Sequence, residues 1–379
     1  MQDRLSKIKK QMELKEIDLI ILFSSRNIYY ISDTAQFSIC VLPLDAEPFI
    51  FIRRNFERGK QETWIKDVLQ LGSTKGVIQE IKDRKLETKN LGLELNFIRA
   101  NQYIKLSKLL PDSQFIDINQ LFLQVRSIKD KKEIEHIRVA AKAVMGAQRV
   151  TREFIKPGVT EMEVAAEIAY ELKKHGSWTT QSNMYWDPNG FCLASGENLY
   201  SPGDYPILSG VGATKATPRS ASNRILKEGD IFVLDIGSNV EGYHADHART
   251  YYIGNPDSKF RKIYNIVLGA LKNAYKLIKE DRTISEIFQE TKARMVEYQP
   301  YFQGFNGYKQ GLGHGVGLHL DELPYIIEDN KNKLQDQMVI ALEPKLIIPK
   351  WGAVDLEDTI LIRKNQEPEI LTPSPYLDV

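Results

Sequence analysis

The chain has 379 residues with 27% charged, 42% hydrophobic and a formal net charge of +1, long enough for two domains with their own cores. No basic block stands out, so a nucleic-acid partner is not indicated, and no apolar run approaches the ~18–20 residues that span a bilayer. Cys40 and Cys192 are distant, form no metal motif and suggest no disulfide framework; with a polar, helical start in place of a signal-like one, they point to a cytoplasmic protein.

Leu5, Ile8, Met12 and Leu14 give a rough helical stripe, and Asp18 to Phe23 reads as a buried strand. Ile28-Tyr29-Tyr30-Ile31 follows a turn, and further strand-like runs occur at Pro48–Ile52 and Leu91–Glu94. Charged helical stretches lie between them, so residues 1–124 are expected to form an α/β domain. Residues 125–379 are expected to form a second, α+β domain. It is entered by a charged helix from Asp130 to Val150, with helices first and strands later. The aromatic, turn-rich stretch from Tyr185 to Tyr205 either lines a substrate pocket or forms a long surface loop.

The chemistry concentrates in the last third. Asp235 ends the apolar run Ile231–Leu234, residues 236–243 contain turn formers, and Asp246 comes eleven positions after Asp235. A strand, a turn and a returning strand would set these two acids side by side. His314 lies in Gly311-Leu312-Gly313-His314-Gly315-Val316-Gly317, where glycines let backbone approach closely. Glu343 follows the strand-like run Met338–Leu342, and Glu357 alternates with apolar neighbours. Each acid sits where an unpaired charge is expensive. A divalent cation would gather them, and an oxygen-rich set with one imidazole suits Mn²⁺, Co²⁺ or Zn²⁺.

These segments resemble the creatinase/aminopeptidase P/prolidase family of the pita-bread fold. Its pattern is an Asp, a second Asp eleven residues on, a Gly-His-Gly, a Glu-Pro and a Glu-Asp near the C-terminus. Asp246-His247-Ala248-Arg249-Thr250 is similar to its Asp-x-x-Arg-Thr. Arg126-Ser127-Ile128-Lys129 with Glu133-Ile134, and Pro157-Gly158-Val159-Thr160-Glu161, look like its earlier landmarks, so the resemblance covers the whole chain. It implies a pita-bread catalytic domain preceded by a smaller creatinase-type N-terminal domain. It also implies two divalent ions (Mn, Co or Zn) on Asp235, Asp246, His314, Glu343 and Glu357. The expected activity is hydrolysis of an N-terminal Xaa-Pro bond by a metal-activated hydroxide, as an aminopeptidase or dipeptidase of short peptides. Glu343 would serve as proton acceptor as well as ligand, and a homodimer is expected.

The chain departs from that pattern where family peptidases carry two further histidines. Their positions hold Pro218 and Asp321, and Asp355 stands where the family often has Arg two residues before the last Glu. In an extended segment His319 and Asp321 would share a face, so His319 either compensates from a shifted position or is a solvated rim residue. Lys215 and Arg219 either hold a substrate carboxylate or are solvated. His244 and His247 are read as structural or supporting. Two other functions stay open: hydrolysis of a non-peptide small amide, and a catalytically impaired metal-binding homologue acting as a binding protein.

Overall fold

The structure, a computed structural model, describes residues 2–178, 191–200, 210–295, 311–348 and 350–379. The chain divides into two compact units, Met1–Arg126 and Ser127–Val379. Among the described residues no helix is long and apolar enough to cross a membrane.

The first unit runs α1 (Gln2–Leu14), β1 (Leu19–Leu22), α2 (Ser25–Ser32), β2 (Ser38–Pro43), β3 (Phe49–Ile52), α3 (Phe56–Glu62), β4 (Asp67–Gln70), α4 (Thr74–Asp83), β5 (Asn90–Leu93), α5 (Ala100–Leu109), β6 (Gln114–Asp117) and α6 (Asn119–Ser127). Its strands form one mixed sheet in the order β4-β3-β2-β1-β5-β6. The central β1 is buried along its whole length, which is why Leu19-Ile20-Ile21-Leu22 is continuously apolar. The α1 stripe buries Leu5, Ile8 and Met12 but leaves Leu14 mostly exposed. Ile28–Ile31 belongs to a helix, α2. Glu94, fully buried, accepts from the backbone N–H groups of Phe23 (2.7 Å) and Ser24 (2.8 Å) at the start of α2 and from Asn27 Nδ2 (2.7 Å). It does the capping that the Ser24 side chain does not.

The second unit starts with α7 (Lys131–Phe154) and α8 (Glu161–Lys174), each opened by a capping box, Asp130 with Glu133 and Thr160 with Glu163. There follow β7 (Phe191–Ser195), β8 (Ile231–Val240), β9 (Tyr243–Tyr252), α9 (Ser258–Lys279), α10 (Ile284–Ala293), β10 (Gly313–Gly315), β11 (Val339–Leu342), β12 (Lys345–Ile348), β13 (Gly352–Asp355), β14 (Asp358–Leu361) and β15 (Glu369–Ile370). The sheets are β7-β8-β9, β10-β11-β14-β15 and the pair β12-β13. Helices do not all come first: α9 and α10 lie between β9 and β10. The apolar face of α9, with Phe260, Ile263, Tyr264 and Val267, packs in one core with Val233, Ile340 and Ile360 of the strands.

Asp235 sits mid-strand, not at a strand end. The turn expected over residues 236–243 is only Glu241-Gly242, both at positive φ (53° and 79°), the backbone of a tight two-residue hairpin. The residues before it continue the ladder to Val240. Most of the stretch from Tyr185 to Tyr205 lies outside the described residues; its described part is β7 and the short 3₁₀ turn Gly196–Tyr200.

Candidate metal centre

The β8–β9 register sets Asp235 opposite Ala248 and Asp246 opposite Gly237. The two acids are therefore diagonal neighbours on one face of the hairpin. His314 enters from β10, opposite Ala341 on β11. Its flanking glycines are sterically required: a Cβ at Gly313 would lie 2.0 Å from the carbonyl oxygen of Ala341, and one at Gly315 would lie 2.1 Å from that of Leu323. Glu343 follows β11, its N–H bonded to Leu312 O at 2.9 Å.

Glu357 lies between β13 and β14 and is fixed by β9. Its N–H donates to Ala248 O (3.1 Å), and its carbonyl accepts from Arg249 Nη1 (2.8 Å). Arg249 also donates through Nη2 to Asp358 Oδ1 (2.7 Å), whose other oxygen accepts from the hydroxyls of Tyr275 and Tyr376. Thr250 Oγ1 bonds both backbone groups of Asp355, and Thr359 Oγ1 both backbone groups of Asp246. The Arg-Thr of the sequence pattern thus ties β9 to the segment Asp355–Asp358 that carries Glu357.

All five residues singled out in the sequence come together. Ligand atoms of Asp235, Asp246 and Glu357 lie within 4.8 Å of one another, as do those of His314, Glu343 and Glu357, and those of Asp246, His314 and Asp321. His314 Nε2 lies 3.6 Å from Glu343 Oε1 and 3.7 Å from Asp246 Oδ2. Its Nδ1 is 3.1 Å from Gly315 O, a partner for a ring N–H that leaves Nε2 as the donor atom facing the acids.

The electrostatics describe a site short of positive charge. Burial, and then the neighbouring carboxylates, push Asp246 and Glu357 well above the usual carboxylate range. Burial pushes Asp235 up to about 6 against the pull of Lys345. Burial lowers the His314 imidazole, yet Asp321, Glu343 and Asp246 together raise it to about 10. One imidazole nitrogen and several crowded carboxylates form a donor set that fits divalent ions, whose charge would invert these shifts.

Three charged groups shape the site beyond the five. Asp321 Oδ1 stands 3.0 Å from His314 Nε2. Lys345, almost fully buried, contacts Glu343 Oε2 and lies 3.4 Å from Asp355 Oδ2. Burial opposes the Lys345 charge, but Asp355, Glu343 and Asp235 push its pKa well above the ordinary value. Burial pushes Asp355 up to about 8, with Lys345 pulling the other way. Asp321 and Asp355 stood out in the sequence only as departures from a pattern. Lys345 carries no local signal: it meets Asp355 only through the pairing of β12 with β13.

The remaining candidates are placed differently. Residues 317–321 form bends, not a strand, because Gly315 and Glu322 pair across a tight loop, so the shared face expected for His319 and Asp321 does not arise. His319 belongs to none of the three ligand groups. Pro218 and Lys215 are exposed, and Arg219 is half-buried. His244 Nδ1 lies 3.0 Å from Gly317 O and its Nε2 3.2 Å from Asn239 Nδ2, while His247 is buried on the opposite face of β9, 3.5 Å from Asp358. The Glu161 landmark is a buried acceptor for the N–H and hydroxyl groups of Ser195 and Ser222.

Comparison with known proteins agrees with this geometry. The model of metallopeptidase family M24 matches residues 135–364, and that of the creatinase/prolidase N-terminal domain matches residues 4–128. The chain is 30% identical over 370 residues to an Xaa-Pro dipeptidase of Pyrococcus furiosus, covering 96% of each chain. It is 27% identical over 377 residues to an uncharacterized peptidase of Bacillus subtilis, covering 98% of each. The prolidase structure from Pyrococcus horikoshii superposes with a TM-score of 0.82 at 26% identity over 100% of both chains. The fold is thus the pita-bread catalytic domain preceded by a creatinase-type N-terminal domain, and the chain belongs to metallopeptidase family M24.

Proposed function

We propose that this metallopeptidase cleaves the N-terminal Xaa-Pro bond of short peptides, with two divalent ions held by Asp235, Asp246, His314, Glu343 and Glu357. The observation that carries the reading is the overlap of the three ligand groups: Asp246, His314 and Glu357 each belong to two of them. Shared carboxylates of this kind suit neighbouring ions. When bound, such ions polarise a carbonyl oxygen and lower the pKa of water. Glu343, beside them, accepts the proton that the attacking water gives up and passes it to the leaving nitrogen. Arg249 and Thr359 hold Glu357 and Asp246 in place by their backbones. The names Xaa-Pro dipeptidase and prolidase borne by the relatives support proline after the scissile bond. Mn²⁺, Co²⁺ or Zn²⁺ as the ion, a homodimer and a cytoplasmic location complete the reading.

A second reading is favoured by Asp321 and Pro218, which stand where related peptidases are expected to have histidines. With those two groups absent, hydrolysis of a non-peptide small amide on the same metal centre is the alternative reading. A panel of Xaa-Pro dipeptides, Xaa-Pro-Yaa tripeptides and small amides, assayed with each of the three ions, separates the two. Release of the N-terminal residue from the peptides supports the first; turnover confined to the small amides supports the second.

A further inference from the structure

Lys345 and Asp355 face each other directly across the β12–β13 pair. Lys345 opens β12 and Asp355 ends β13, and two residues outside each strand lies one acid of the metal centre: Glu343 before Lys345 and Glu357 after Asp355. The ammonium of Lys345 therefore stands between two carboxylates, Glu343 and Asp355, and contacts the first.

Asp355 is fully buried. Among the described residues neither of its carboxylate oxygens accepts a well-formed hydrogen bond, and Lys345 Nζ at 3.4 Å is near enough for charge attraction only. The Asp355 backbone is pinned at both N–H and carbonyl by Thr250 Oγ1 at 2.8 Å. The acid is thus a fixed point, whereas the lysine ammonium rides on a flexible four-carbon stem.

We propose that Asp355 is the docking place for the Lys345 ammonium when a metal ion takes Glu343. The two residues then act as a counter-ion switch. Lys345 neutralises Glu343 until an ion arrives and turns to Asp355 as the ion binds, so that neither a bare ammonium nor a bare carboxylate is stranded in the interior. This rests on the reading of the five residues as a metal centre. It makes both Lys345 and Asp355 positioning residues for ion uptake.

The test is Mn²⁺ binding by equilibrium dialysis on metal-stripped protein, which reads affinity without turnover, with far-UV circular dichroism and melting as checks on folding. Asp355→Asn leaves the ammonium without its second partner, and Mn²⁺ affinity falls by about 10–100-fold. Lys345→Met removes the ion's competitor, and affinity rises by about tenfold. Asp355→Asn in the Lys345→Met background changes affinity by less than about threefold, because the two residues act as one device. Additive effects of the two substitutions, or an Asp355→Asn protein that binds Mn²⁺ like the parent, would overturn the switch. Absence of any Mn²⁺ binding by the parent would instead overturn the metal centre itself. A crystal structure of the Mn²⁺-loaded parent gives an independent readout: Lys345 Nζ is expected in hydrogen-bond contact with Asp355, and its retention on Glu343 contradicts the proposal.

Discussion

Asp321 Oδ1 and His314 Nε2 form an ion pair of 3.0 Å on the nitrogen of His314 that faces the other acids. Related peptidases are expected to carry a hydrogen-bond donor at the position of Asp321; this chain places an acceptor there. Asp321→His restores the donor. An oxyanion donor is worth about 10²–10³ in rate, so kcat on an Xaa-Pro dipeptide is expected to rise by at least tenfold in the variant. Steady-state kinetics of the two proteins side by side checks this, and an unchanged or lower kcat speaks against it.

Lys129 and Glu322 form a fully buried ion pair of 2.9 Å across 193 residues. Glu322 follows Asp321 and pairs with Gly315, so this contact holds the loop that carries Asp321 against β10. Lys129→Met removes the cation paired with a buried carboxylate and is expected to cost about 3–5 kcal/mol in the urea unfolding of the protein. A loss under 1 kcal/mol would mean that the loop is held by other contacts.

Protonation and metal binding compete for the same carboxylates. Asp235 stands at about 6 instead of 3.8, and Asp246 and Glu357 are likewise raised well above the ordinary carboxylate value. In the chelated protein the folded state therefore binds more protons than the unfolded one. By linkage its stability is present below the unfolded values and is lost as pH rises through the raised ones. Mn²⁺ replaces the protons and cancels that loss. The gap in melting temperature between Mn²⁺-loaded and chelated protein is thus expected to widen steadily from pH 5 to 8. At ~100-fold excess over Kd the ion adds about 2.7 kcal/mol, or some 5–10 °C for a unit of this size. Differential scanning calorimetry across that range is the check; a gap independent of pH contradicts the assignment of ligands.

In the first unit, Glu94 serves three donors, two of them backbone N–H groups that open α2. Glu94→Gln keeps the shape but turns one acceptor into a donor. It is expected to destabilise the protein by about 1–3 kcal/mol in urea while leaving Mn²⁺ affinity unaltered. A matching fall in ion affinity would show that Glu94 does more than hold α2.

What was legible in the sequence and what was not divide along physical lines. Continuous apolar runs such as Leu19–Leu22 and Val339–Leu342 read directly as strands because burial on both faces leaves no room for polar residues. The five gathered residues are legible because the four acids and one histidine stand in short apolar or glycine-rich segments, in the order and spacing of the family pattern. Gly237 and Ser238 resemble turn formers, so the sequence suggests a strand end at Asp235. Gly237 instead sits opposite Asp246 within the ladder, and the positive-φ pair Glu241-Gly242 makes the turn alone. Ile28–Ile31 carries β-branched and aromatic residues, yet it is helical because its cap comes from Glu94, 66 positions away from Ile28. Lys345 is not legible in the sequence for the same kind of reason. Its partners Asp355 and Glu343 meet only once β12 and β13 pair, and no local pattern announces that register.

The central claim is metal-dependent hydrolysis of Xaa-Pro bonds by the site that contains Glu357. Metal-stripped protein should be assayed for proline release from an Xaa-Pro dipeptide before and after addition of Mn²⁺, with Glu357→Ala carried in parallel. The account predicts no release without the ion, turnover on its return, and none in the variant under either condition. Turnover that survives stripping, or that Glu357→Ala retains in full, would contradict it.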